Sequence, residues 1–133
     1  MMVVDTSALM AITLNEARAH WCMDALETEA EVLISAGTLA EALIVARRKG
    51  QGADLAETIE AFGFTVVPVS EADARRVADA YDIWGKGVHP AALNMGDCFA
   101  YALAKERNCP LLYVGNDFAQ TDVKGVDFTR GAQ

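Results

Sequence analysis

Cysteine, histidine and proline are scarce in this chain, basic residues are outnumbered, and no hydrophobic run is long. The three cysteines, Cys22, Cys98 and Cys109, are odd in number and none stands in a CxxC spacing. A disulfide framework is not expected in so ordinary a composition, and the thiols read as small core or half-buried groups in a reducing compartment. The two histidines, His20 and His89, have no Cys or His partner at zinc-ligand spacing, which argues against a His-based metal centre. His20 reads as helix surface and His89 as part of a loop before Pro90. Asp5 interrupts the first fourteen residues, and nothing approaches the roughly 18–20 apolar residues of a membrane span. Those residues also lack a basic n-region and a small-residue cleavage site, so a cytoplasmic protein without membrane contact is expected. With 11 Lys and Arg against 19 Asp and Glu, the formal net charge is −8, which makes the surface as a whole a poor general binder of nucleic acid.

What is present is a core. The 133 residues are 53% hydrophobic, enough for one domain spanning residues 1–133 and too much for a disordered chain. Short β-rich runs occur at Met2–Asp5, Val32–Ser35, Thr65–Val69, Leu111–Val114 and, weakly, Val126–Phe128. Longer stretches with helical spacing separate them. Asn15 is placed to cap a helix through about Glu29, and Thr38 to open one closed by Arg47-Arg48-Lys49-Gly50. Further helices are expected over 53–62, ending at Gly63, over 71–85, where Val77, Tyr81 and Trp84 share a face, and over 95–107. Strands alternating with helices imply parallel βαβ units. The expectation is an α/β fold, a three-layer α/β/α sandwich around a parallel sheet of about five strands.

In such sheets ligands bind beyond the carboxyl ends of the strands. Asp5 ends the first run, Glu41 lies in the helix after the second, and Asp97 stands near the start of the helix led by Met95. Asp117 follows Leu-Leu-Tyr-Val across Gly115-Asn116, and Asp122 comes shortly after. Each has an ordinary reading. Thr38-Leu-Ala-Glu41 and Asn94-Met-Gly-Asp97 both match capping boxes, Asp117 is placed to cap one helical turn, and Thr6 and Ser7 are placed to cap the next helix beside Asp5. Electrostatics favours a joint reading. Carboxylates gathered at one crevice repel by roughly 3 kcal/mol per pair at about 5 Å and an effective dielectric of 20. Several such pairs rival the ~5–15 kcal/mol stability of a whole domain. Either protons or a cation must neutralise them, and an all-oxygen donor set selects Mg²⁺ or Mn²⁺. Such an ion completes its shell with substrate phosphate oxygens and activates water, which suits phosphodiester hydrolysis. A hydroxyl from Thr6 or Ser7 is placed to hold a water or a phosphate oxygen there.

Asp5-Thr6-Ser7-Ala8 after a hydrophobic strand resembles the opening motif of PIN domains. Thr38-Leu-Ala-Glu41, the run from Gly96-Asp97-Cys98 to Ala104, and Gly115-Asn116-Asp117-Phe118 through Thr121-Asp122 match the later motifs in order. Length and motifs are similar to those of the VapC toxins of type II toxin–antitoxin modules, over about residues 2–128. The resemblance implies an endoribonuclease dependent on Mg²⁺ or Mn²⁺, with Asp5, Glu41, Asp97 and Asp117 as the acidic quartet. It makes Asp122 a further acidic position, less uniformly a ligand, and leaves Asn116 in a variable place. It also implies structured RNA (tRNA or ribosomal RNA) as substrate, a homodimer, and silencing by a cognate VapB antitoxin.

The acidic balance means that any RNA contact must be local. Arg47-Arg48-Lys49 is the sole three-residue basic cluster, with Arg48 two turns beyond Glu41 on one helix face, and Lys86 between Gly85 and Gly87 is a second candidate. Basic residues at a helix end are also favourable for the helix alone. Two rivals share the acidity and the α/β alternation. A phosphoacceptor receiver domain calls for an acidic pair after the first strand, an acceptor Asp after the central one and a late-strand Lys. The second run here ends in Ser35 and no run ends in Lys. A haloacid-dehalogenase-type phosphatase calls for Asp-x-Asp where this chain reads Asp5-Thr6-Ser7. A catalytically inactive PIN-like binding module is the remaining alternative.

Overall fold

The computed structural model describes residues 1–126. Four parallel strands, β1 (Met2–Val4), β2 (Val32–Ser35), β3 (Thr65–Val67) and β4 (Leu111–Leu112), lie in the order β3-β2-β1-β4. Around them run α1 (Thr6–Thr13), α2 (Ala19–Thr28), α3 (Ala36–Arg48), α4 (Gly52–Phe62), α5 (Glu71–Trp84) and α6 (Met95–Arg107), followed by a single 3-10 turn, Phe118–Gln120. Alternation along the strands sorts the core into two layers. Val3, Leu33 and Leu111 pack with α5 and α6. Met2, Val4, Val32, Ile34 and Leu112 pack with α1 to α4. The three-layer sandwich is present. Among the described residues no helix is long and apolar enough to cross a membrane.

Several boundaries differ from the sequence expectation, each for a physical reason. The helix expected from Asn15 is two helices. Asn15 has φ 52°, a left-handed conformation that closes α1, and α2 starts only at Ala19. α1 shows no amphipathic stripe because Ala8, Leu9, Met10 and Ala11 are all buried. Ser35, rather than Thr38, caps α3, accepting the Gly37 N–H at 3.2 Å. Thr38 is inside the helix and fully buried, so the Thr38–Glu41 capping box does not form. β3 stops before Pro68 and is an exposed edge rather than a strand covered on both faces. β4 is cut short because the Val114 N–H turns to the Ser7 hydroxyl, 2.9 Å away. Of the expected fifth strand, Asp127 and Phe128 lie outside the described residues; Gly125 makes one parallel bridge to Leu111, and the Val126 N–H donates to the Leu111 carbonyl at 3.2 Å. The ends of α4 at Gly63 (φ 62°), of α5 at Gly85 and of α6 after Arg107 match the expectation.

Candidate active site

The strand order reverses at β1, which has β2 on one side and β4 on the other. The carboxyl end of β1 is therefore the crevice where an open parallel sheet binds its ligand. Asp5 stands there, only 2% exposed. It caps α1: its Oδ2 accepts the Ser7 N–H at 2.9 Å and the Ser7 hydroxyl at 2.7 Å. Ser7 in turn accepts the Val114 N–H at 2.9 Å, so one hydroxyl ties β1, α1 and the end of β4 together. The other oxygen, Oδ1, is buried with no hydrogen-bond partner. Burial pushes the Asp5 carboxyl up to about 7; the Ser7 hydrogen bonds oppose the rise and the charges of Asp97 and Glu41 add to it.

Glu41 is held by Thr6, whose hydroxyl donates to Oε1 at 2.7 Å and also lies 3.4 Å from the Thr38 carbonyl. Its carboxylate rests against the bare backbone of Gly96, where a Cβ would stand 1.9 Å from Oε2. Asp97 does form the capping box expected of it: its Oδ2 accepts the Asn94 N–H at 3.0 Å, and its own N–H donates to Asn94 Oδ1 at 2.8 Å. Capping does not exhaust it, because one oxygen is left over. Burial raises the Asp97 carboxyl above its ordinary value, and the charges of Glu41 and Asp117 raise it further. Asp117 is exposed at the start of the 3-10 turn and makes no side-chain cap. Every neighbouring charge that moves Asp5 or Asp97 is negative.

The structure thus brings Asp5, Glu41, Asp97 and Asp117 into one electrostatically coupled group. As they stand, no three Asp, Glu, His or Cys side chains among the described residues are gathered closely enough to hold an ion. Asp122 has other partners. Its Oδ1 accepts the Tyr101 hydroxyl and its Oδ2 the Lys105 ammonium at 3.1 Å, which holds its carboxyl below the usual range. Trp84 donates its indole N–H to the same Tyr101 oxygen at 2.9 Å, so this network straps the segment after Asp117 onto α6 and α5. Asn116 is exposed beside Asp117, its carbonyl accepting from Gln120 at 3.5 Å. Arg47, Arg48 and Lys49 are exposed at the end of α3, and Lys86 is exposed in its loop. His20 pairs with Asp24 on the α2 surface, and His89 accepts the Ala91 N–H. Sequence reasoning missed Arg18, whose guanidinium lies 4.1 Å from the Trp21 ring centroid; the Arg-x-x-Trp spacing was the available signal.

An oxygen-only donor set, a buried carboxylate oxygen without a partner, and neighbours of one sign fit a hard divalent cation. They do not fit zinc, which favours nitrogen and sulfur.

The family model described as PIN domain matches residues 2–124. The chain belongs to the PIN-domain family. This PIN domain is 43% identical over 127 residues to ribonuclease VapC28 of Mycobacterium tuberculosis, covering 92% of this chain and 96% of the relative. It is 41% identical over 130 residues to ribonuclease VapC30 of the same organism, covering 94% and 98%. Its fold is shared with solved structures of lower identity. One is VapC20 of M. tuberculosis, described as a sarcin–ricin-loop-cleaving toxin (TM-score 0.76, 15% identity, 95% of this chain and 98% of that one). Another is VapBC2 of Rickettsia felis bound to a promoter DNA fragment (TM-score 0.68, 12% identity, 95% and 96%).

Proposed function

We propose that this PIN domain is an endoribonuclease toxin of the VapC kind, dependent on Mg²⁺ or Mn²⁺, that hydrolyses structured RNA of the tRNA or ribosomal RNA class. The observation that carries the reading is the unpartnered buried oxygen of Asp5 at the switch point, set among Glu41, Asp97 and Asp117 with no cation acting on it. The ribonuclease names of relatives above 40% identity support the reaction class, and the sarcin–ricin-loop toxin supports structured RNA.

Asp5, Glu41, Asp97 and Asp117 would hold the ion, Asp5 and Asp97 being the two whose carboxyls burial raises. Asp117 is exposed and Glu41 half-buried, so these two side chains are the ones with room to move. When bound, a divalent ion neutralises phosphodiester charge and acidifies the attacking water. The chain's own residues prepare that state. Ser7 spends its proton on Asp5 and fixes the orientation of that carboxylate. It is a positioning residue rather than a holder of water. Thr6 does the same for Glu41. Asp5, with its carboxyl near 7, releases its proton as a ligand must. Arg47, Arg48, Lys49 and Lys86 are exposed cations suited to distant phosphates, and Asn116 flanks Asp117. The protein acts in the cytoplasm as a homodimer and is neutralised by a VapB-type antitoxin. The toxin–antitoxin complexes among its fold neighbours support that partner.

Incubation with tRNA and ribosomal RNA in Mn²⁺, with and without EDTA, tests the proposal. Defined fragments in Mn²⁺ and intact RNA in EDTA are expected. Intact RNA under both conditions would leave a PIN fold that only binds its partner.

A further inference from the structure

After β4 the chain turns through Tyr113, Val114, Gly115 and Asn116 to Asp117. This turn, together with Arg18 and Val126, lines an open cavity of about 530 Å³, within the range of ~300–1,000 Å³ typical of small-ligand sites. Its lining differs from the acidic group: an arginine, an asparagine, a glycine turn, two valines and Tyr113, whose ring packs on Phe118 at 5.2 Å, and no Asp or Glu among the described residues. Gly115 has φ 105°, a conformation open to glycine, and so presents backbone without a side chain over it. The Arg18 guanidinium is steadied by its contact with the Trp21 ring.

The carboxylates that serve the reaction also repel the RNA strand on either side of the bond being cut. A cation in direct contact with that group would compete with the metal. One just outside it attracts a flanking phosphate and leaves the ligands alone. Arg18 shares its cavity with Asn116, the residue next to Asp117, and so has that place. Arg48, by contrast, lies seven residues along α3 from Glu41, roughly 10 Å at 1.5 Å per residue. Arginine's planar fork suits a phosphate better than a point charge does, and an amide is a group that hydrogen-bonds the edge of an unstacked base.

We infer that this cavity seats the nucleotide adjoining the scissile phosphodiester, with Arg18 gripping its phosphate and Asn116 against its base. The inference rests on the ribonuclease reading above and names a substrate subsite within it.

The test measures affinity for end-labelled tRNA and ribosomal RNA in Mn²⁺ over a range of KCl concentrations, in an Asp97→Asn background that leaves the RNA uncut. Arg18→Ala is expected to weaken binding about tenfold and to reduce the log–log salt slope by about one. Arg18→Lys is expected to keep the slope and lose part of the affinity. Arg75→Ala, which removes the same charge from the α5 surface where Arg75 pairs with Glu71, is expected to cost less than about twofold. In the otherwise unaltered enzyme, Arg18→Ala should raise KM with kcat within about threefold. Equal losses from Arg18→Ala and Arg75→Ala, or no loss from either, overturn the subsite while leaving the ribonuclease reading standing. A wild type that cuts no RNA overturns both.

Discussion

Asp97→Asn is expected to lower RNA cleavage by about a thousandfold or more, the scale on which losing a charge that organises the transition state is felt, and to abolish growth arrest on expression. The fold should survive. The Asn94 N–H needs only an oxygen acceptor at that position, and an asparagine supplies one, so the start of α6 stays capped. The substitution also removes a charge that burial, Glu41 and Asp117 all disfavour. In EDTA the melting temperature should therefore be unchanged or higher. The check is a cleavage assay beside a thermal melt of the same preparation. Loss of activity with an intact or raised melting temperature is the expected pair. A variant that still arrested growth would place the toxicity elsewhere.

Gly96→Ala should produce the second-largest loss, about a hundredfold in cleavage, although it replaces no ionisable group. The new methyl would stand 1.9 Å from Glu41 Oε2 and 2.4 Å from its Cδ. The obstructing atoms are the tip of a flexible side chain, so Glu41 swings away and the backbone need not move. Alanine is favoured over glycine in a helix by up to about 1 kcal/mol, which offsets the lost Thr6–Glu41 hydrogen bond, itself worth about 1 kcal/mol. Stability should stay within a few degrees while cleavage falls and the Mn²⁺ concentration for half-maximal activity rises about ten- to hundredfold. An unchanged Mn²⁺ requirement would remove Glu41 from the ligand set.

Much of this arrangement is legible before any coordinates, and the reasons differ by residue. α5 is readable because Val77 and Trp84 recur on its inner side, although Tyr81 between them is exposed; α6, buried at every position from Ala100 to Ala104, is readable from its length and its Asn94–Asp97 capping box. Gly63 ends α4 through local backbone preference. Asp5, Glu41, Asp97 and Asp117 are findable because the α/β rule places strand ends and helix starts at one edge. What escaped depends on partners distant in the chain. Ser7 reaches Val114 across 107 positions and shortens β4. Tyr101 claims Asp122 across 21 positions, a partner that the motif around Asp117 does not show. α1 is buried too evenly to show a period, and Ser35 competes with Thr38 for a cap that either could fill by composition. Arg18 was passed over because it stands alone at the start of α2, marked only by its spacing to Trp21.

The central claim is that the buried carboxyls at the end of β1 are tolerated because a divalent ion neutralises them. The most direct measurement is the melting temperature of wild type and Asp5→Asn at pH 5 and pH 8, each in EDTA and in Mn²⁺. The sign follows from linkage. Asp5 has a folded-state value of about 7 against an ordinary 3.8, so between these values the folded state holds the extra proton. Its contribution to stability is full below the lower value and is lost as pH rises through the upper, an effect of about 4 kcal/mol at 1.36 kcal/mol per unit. In EDTA the wild type should melt lower at pH 8 than at pH 5 by a wider margin than Asp5→Asn. Mn²⁺ should raise the wild-type melting temperature at pH 8 and have little effect on Asp5→Asn. A wild-type melting temperature that millimolar Mn²⁺ leaves unmoved at pH 8 would contradict the account.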